Sequence, residues 1–174
     1  MEAILKALFL VCLALMSSSL YAFSFDITYI DTSAEDQSRF EELKTKVEEL
    51  VKTEAFKDKV VRYSNYSCFN VSNLPATVST NQDILNHLEN AVAQIKIKFF
   101  SASPNILGST SGNTISFNVN NFATRTDASV ANTLFHESLH VLGYGHCGKN
   151  NIRLFPKIKR SIPYKLGDYI EELY

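Results

Sequence analysis

Residues Thr126–His146 read TDASVANTLFHESLHVLGYGH, and they hold most of the chain's chemistry-bearing residues in one run. Thr126 or Asp127 can cap a helix start, and no Pro or Gly interrupts the run until Gly143. On that helix His136 and His140 are four residues apart, so their imidazoles share one face about 40° apart. This spacing lets two ring nitrogens bind one metal ion at ~2.0–2.1 Å. Glu137 lies about 60° beyond His140, near such an ion and placed to accept a proton from water on it. Gly143 stands where a positive φ commonly ends a helix, and the reversal allows His146, three residues on, to come back as a third ligand.

Three protein ligands and a water make an open, catalytic site, whereas a closed structural zinc site needs four. Nitrogen ligands of this kind favour zinc, although other divalent metals remain open. Three of the chain's 4 histidines fall within these residues. A chance match at all five fixed positions is on the order of one in 10⁵ or less. The fourth, His87, stands in a polar loop-to-helix region and is expected to be a solvated surface residue.

The segment His136-Glu137-Ser138-Leu139-His140-Val141-Leu142-Gly143-Tyr144-Gly145-His146 resembles the zinc signature of the metzincin metallopeptidases, H-E-x-x-H-x-x-G-x-x-H. The resemblance implies His136, His140 and His146 as zinc ligands and Glu137 as general base. It also implies a twisted sheet and two helices above a zinc cleft, with a small C-terminal part below. In such enzymes the strand before the active-site helix is the sheet's lower edge and binds substrate antiparallel. Thr114–Val119 occupies that place in the chain order.

One departure from the family is visible. Metzincins carry a methionine turn beneath the metal, and the only methionines here are Met1 and Met16. The nearest candidate for that turn is Arg160-Ser161-Ile162-Pro163-Tyr164, about 14 residues past His146. Ile162 or Pro163 would supply the apolar floor. Tyr164 would face the zinc, as a tyrosine just after that turn does in some metzincin branches; an ordinary proline turn is the other reading.

Upstream, Ala7–Met16 is an uninterrupted apolar run and Ser17–Ala22 is small and polar, the layout of a signal peptide over residues 1–22. Ten strongly apolar residues reach only ~15 Å as a helix, too short for a stable membrane anchor. Residues 23–174 are then expected to form a single catalytic domain, exported to the periplasm or outside the cell. That domain is expected to begin without a removable propeptide, because Cys68 lacks the surroundings of a matrixin-type switch. In an oxidising compartment Cys68 and Cys147 are expected to pair, with two free thiols as the alternative. Asn65 and Asn70 each begin an N-glycosylation acceptor triplet, relevant only in a eukaryotic secretory pathway.

The chain has 174 residues, 45% of them hydrophobic, enough for one domain with a substantial core. Its formal charge is −1, so nothing resembles the basic footprint of a nucleic-acid binder. Ser24–Ile30 alternates as a half-buried strand does. Ser38–Thr53 carries one apolar stripe and reads as a helix, with Ser38 and Glu41 in capping-box positions. Lys59–Tyr63 reads as a second strand and residues 64–81 as loop. Gln82–Gln94 has helical spacing, Ile95–Phe100 alternates as a strand, Ser101–Asn113 reads as loop, and Thr114–Val119 as a strand.

The order predicts an α+β fold: a mixed sheet with two or three helices packed against it, one of them carrying the metal motif. The functional expectation is a monomeric zinc endopeptidase acting on peptide or protein substrates. A binding or toxin-like module that keeps zinc but cleaves nothing is the alternative, disfavoured by Glu137, which metal binding alone does not need. Hydrolysis of a non-peptide amide remains a third reading.

Overall fold

The computed structural model describes residues 23–64, 66, 78–103, 106–146 and 160–174. The expected leader, the acceptors Asn65 and Asn70 and the pairing of Cys68 with Cys147 lie outside the described residues. Four strands are seen: β1 (Ser24–Tyr29), β2 (Val92–Phe100), β3 (Gly108–Ser111) and β4 (Thr114–Asn118). They form one open mixed sheet in the order β1-β2-β4-β3. The pairs β1–β2 and β2–β4 run parallel, and only β3 runs antiparallel to its neighbour. The described helices are α1 (Ala34–Lys52), α2 (Glu54–Arg62), α3 (Asn81–Glu89), the single turn α4 (Val119–Phe122), α5 (Asp127–Val141) and α6 (Ile162–Leu173). The fold is α+β with a mixed sheet, as the pattern predicts, but with six described helices rather than two or three. None of them is long and apolar enough to cross a membrane.

Several local expectations are corrected. Helix α1 starts four residues before Ser38: Ser33 is the cap, its hydroxyl accepting from the Asp36 amide at 3.1 Å. The apolar stripe begins only at Phe40, so the polar first turn carries no periodic signal. Lys59–Tyr63 is not a strand; its first four residues close α2. The Val60-Val61 pair favours a strand locally, but Phe56 and Val60 are four apart and both wholly buried, and that shared helical face decides. Thr53 joins the two helices, its hydroxyl donating back to the Leu50 carbonyl and accepting from the Phe56 amide.

Helix α3 ends at Glu89 and strand β2 begins at Val92, because Val92 already pairs with Ser24 of β1. Within Ser101–Asn113, read as loop, Gly108–Ser111 forms the antiparallel edge of the sheet. The β3–β4 turn is made at Gly112, whose φ of +60° suits glycine. Thr114–Asn118 is therefore an inner strand, and the free edge that the resemblance assigned to it belongs to β3.

The core lies between the sheet and the helices. Phe40 of α1 sits at its centre with ring centroids 4.9 Å from both Phe117 and Phe122. Phe135 of α5 meets Phe23 edge-on at 5.2 Å and Phe56 at 5.9 Å. Arg39 ties α1 to the start of α5: its guanidinium pairs with Asp127 at 2.8 Å, donates to the Phe122 and Arg125 carbonyls, and lies over the Phe122 ring.

Helix α5 is covered by the sheet, by α1 and, most extensively, by α6. The α5–α6 crossing is close at Gly167, where a Cβ would lie 2.3 Å from the Asn132 side-chain oxygen and 3.3 Å from its carbonyl. Asn132 in turn donates to Glu171 at 2.6 Å. Helix propensity alone makes Gly167→Ala stabilising by up to ~1 kcal/mol. Overpacking at the crossing costs ~1–3 kcal/mol and reverses the sign. The expected outcome is a lower melting temperature for Gly167→Ala; a value equal to or above wild type would contradict this packing.

Candidate metal centre

Helix α5 is capped by Thr126, whose hydroxyl accepts from the Ser129 amide, and it runs unbroken to Val141. Its end is a Schellman closure: the Gly143 amide donates to His140 and the Tyr144 amide to Leu139, with Gly143 at φ +97°. The expected reversal is therefore present, and it carries His146 back to the helix. His136, His140 and His146 each place a ring nitrogen within 4.8 Å of the other two, a group able to hold a metal ion.

The donor set fits such an ion. His140 and His146 present their Nε2 atoms to each other at 3.1 Å. Tetrahedral coordination with bonds of ~2.0–2.1 Å needs ligand atoms about 3.3 Å apart, so this edge is already near ligating length. The His140 Nδ1–H donates to the Tyr144 carbonyl at 2.7 Å, which leaves its Nε2 lone pair free. Burial, reinforced by the charges of His140 and His146, pushes His136 down to about 3. Burial and then His140 push His146 down to about 4. Both rings are thus neutral at neutral pH, the state in which an imidazole can ligate a metal.

Glu137 stands outside the group of three, as its position on the helix predicts, and is 9% exposed. Burial raises its carboxyl above the usual range, while the Thr110 hydroxyl and then His140 pull it back. Thr110, on the edge strand β3, donates to Glu137 Oε2 at 2.7 Å. Gly108 on the same strand lies against α5, where a Cβ would meet Thr133 Cγ2 at 2.9 Å. A cavity of about 500 Å³ opens beside the cluster, with Arg125, Thr133, His136, Glu137, Tyr164 and Asp168 among its walls.

Tyr164 comes to the site, though not from a proline turn. Ser161 stands at the N-cap position of α6, Pro163 lies in its first turn, and Tyr164 follows in that turn. Its ring centroid is 4.5 Å from His136 and stacks on His146 at 4.8 Å, an interplanar angle of 29°. Ile162 and Pro163 are buried, and Tyr164 is 36% exposed toward the cavity side.

His87 is not a solvated surface residue. It is half-buried, and its Nδ1 lies 2.7 Å from the hydroxyl of Tyr144, itself wholly buried. Nothing in the sequence singles out Thr110, Tyr144 or Ser161. Thr110 sits in a polar run without apolar alternation, and Tyr144 and Ser161 act through backbone or hydroxyl oxygens that no spacing rule marks.

The chain matches no family model, no curated protein and no solved structure. The metzincin resemblance thus rests on the motif itself, and what the structure adds is the assembled histidine group.

Loading with a divalent transition metal is expected to leave about one equivalent bound after desalting, measured by elemental analysis. At a free metal concentration a hundredfold above Kd, binding should stabilise the fold by ~2.7 kcal/mol, seen as a raised melting temperature. His140→Ala should abolish both effects. Equal metal retention by that variant would mean that the ion binds elsewhere.

Proposed function

We propose that the protein is an exported, zinc-dependent endopeptidase of metzincin type. The observation that carries this reading is Glu137: a buried carboxylate, held by Thr110, beside three clustered imidazoles and on the wall of an open cavity. Binding a metal needs the histidines alone; a desolvated carboxylate kept next to them suits proton transfer. The export part of the proposal rests on the apolar run Ala7–Met16 and the small residues that follow it.

The residues divide the work as follows. His136, His140 and His146 hold the ion. When bound, zinc supplies Lewis acidity, which polarises a carbonyl and acidifies water. Among the described residues β3 is the edge of the sheet, where an extended peptide would add as a further strand and lay its scissile bond near Glu137. Glu137 takes a proton from the attacking water and returns it to the leaving amine. Tyr164, stacked on His146, directs its hydroxyl toward charge developing on the carbonyl oxygen.

Glu137→Gln should keep the metal and the melting temperature while cleavage of an unfolded protein substrate falls at least ~10²-fold. Full activity in this variant would assign the proton to another group. Tyr164→Phe is expected to lower kcat with metal content unchanged. A variant whose activity loss is matched by lost stability would reduce Tyr164 to a packing residue.

A further inference from the structure

Ser161 is wholly buried and stands at the cap of α6 with extended backbone, φ −69° and ψ 155°. A serine there ordinarily accepts a hydrogen bond from the amide two or three residues on. In this chain Ser33, Thr53, Thr80 and Thr126 all do so, each from the third residue of its helix. Ser161 makes no such bond. Its Oγ lies instead 2.8 Å from His146 Nδ1.

We propose that Ser161 is a positioning residue for the metal: its hydroxyl, withdrawn from capping α6, receives the Nδ1–H of His146 and aims the ring's Nε2 into the cluster. An imidazole that ligates through Nε2 carries its proton on Nδ1, and that N–H needs a fixed acceptor. His140 finds its acceptor in the Tyr144 carbonyl, part of the turn that follows its own helix. His146 is the one ligand that does not lie on α5, and the oxygen 2.8 Å from its Nδ1 belongs to the cap of α6, 15 residues on. The α5–α6 contact thereby sets the direction of the third ligand as well as the position of Tyr164, which stacks on the same ring. Placing the hydroxyl there leaves the first turn of α6 without a side-chain cap, a sacrifice that packing on α5 allows.

This inference rests on the reading of the three histidines as a metal site, and the test separates the two. Ser161→Ala removes one oxygen, adds no atom and takes no cap bond from α6. Zinc affinity, measured by competition with a chromophoric chelator, is expected to weaken 10- to 100-fold. The metal-free melting temperature should stay within about 2 °C of wild type. In zinc-loaded wild type the His146 Nδ1–H should appear in nitrogen-edited NMR as a slowly exchanging proton, and Ser161→Ala should lose that protection. Zinc affinity within twofold of wild type would overturn the proposal, as would a metal-free melting temperature that collapses along with the affinity. Wild-type protein that binds zinc no more tightly than His140→Ala would overturn the metal reading and this inference with it.

Discussion

The structure depends on the burial of helix α5. Nine of the residues between Val130 and Leu139 are buried, including Thr133, His136, Glu137 and Ser138 among the apolar ones. A helix hidden on nearly all sides needs partners around it. The sheet, α1 and α6 are those partners. The polar groups carried inward must then be bonded where they stand. Ser138 donates to the Phe135 carbonyl, Glu137 accepts from Thr110, and Arg125 donates to Ser129 and Thr133 along the cavity wall. The site is therefore a by-product of how the core closes: what covers α5 also brings Thr110 to Glu137 and Ser161 to His146.

The second constraint is the end of that helix. Two closure bonds and one positive φ at Gly143 turn the chain back within a few residues. The turn does three things at once. It buries Tyr144 against His87, it offers the Tyr144 carbonyl to His140, and it returns His146 to the face it has just left. Burial then keeps His136 and His146 neutral, which is the protonation state a metal ligand requires. The first turn of α6 closes over the cluster, with Ile162 and Pro163 packed inward and Tyr164 against two imidazoles.

Much of this is legible in the chain itself. The i, i+4 spacing of His136 and His140 puts two rings on one face by helix geometry alone, and glycine at 143 marks the reversal because few other residues adopt that φ. Tyr164 is reachable only through likeness to a family. The strands with apolar alternation, Ser24–Tyr29 and Thr114–Asn118, stand where that alternation puts them. Where local preference competes with a distant contact, the sequence misleads. Val60 and Val61 suggest a strand, yet Phe56 claims Val60 for a helical face. Gly108–Ser111 has no apolar residue to announce it, and its pairing with β4 comes from a turn, not from a pattern.

The sequence by itself determined the three histidines, the adjacent acid and the helix that carries that acid and two of the histidines, because helical spacing and one glycine mark them within one short segment. Only the tertiary structure decided what stands around that segment. The order of the strands made β3 the edge, the α5–α6 crossing brought Ser161 to His146, and the core drew His87 to Tyr144. Those partners are separated from the residues they meet by 15 and 57 positions of chain, and their contacts run through single hydroxyls and ring nitrogens. Such contacts form when the core packs, and no repeat in the sequence records them, since one oxygen at the right distance serves as well as another wherever it comes from.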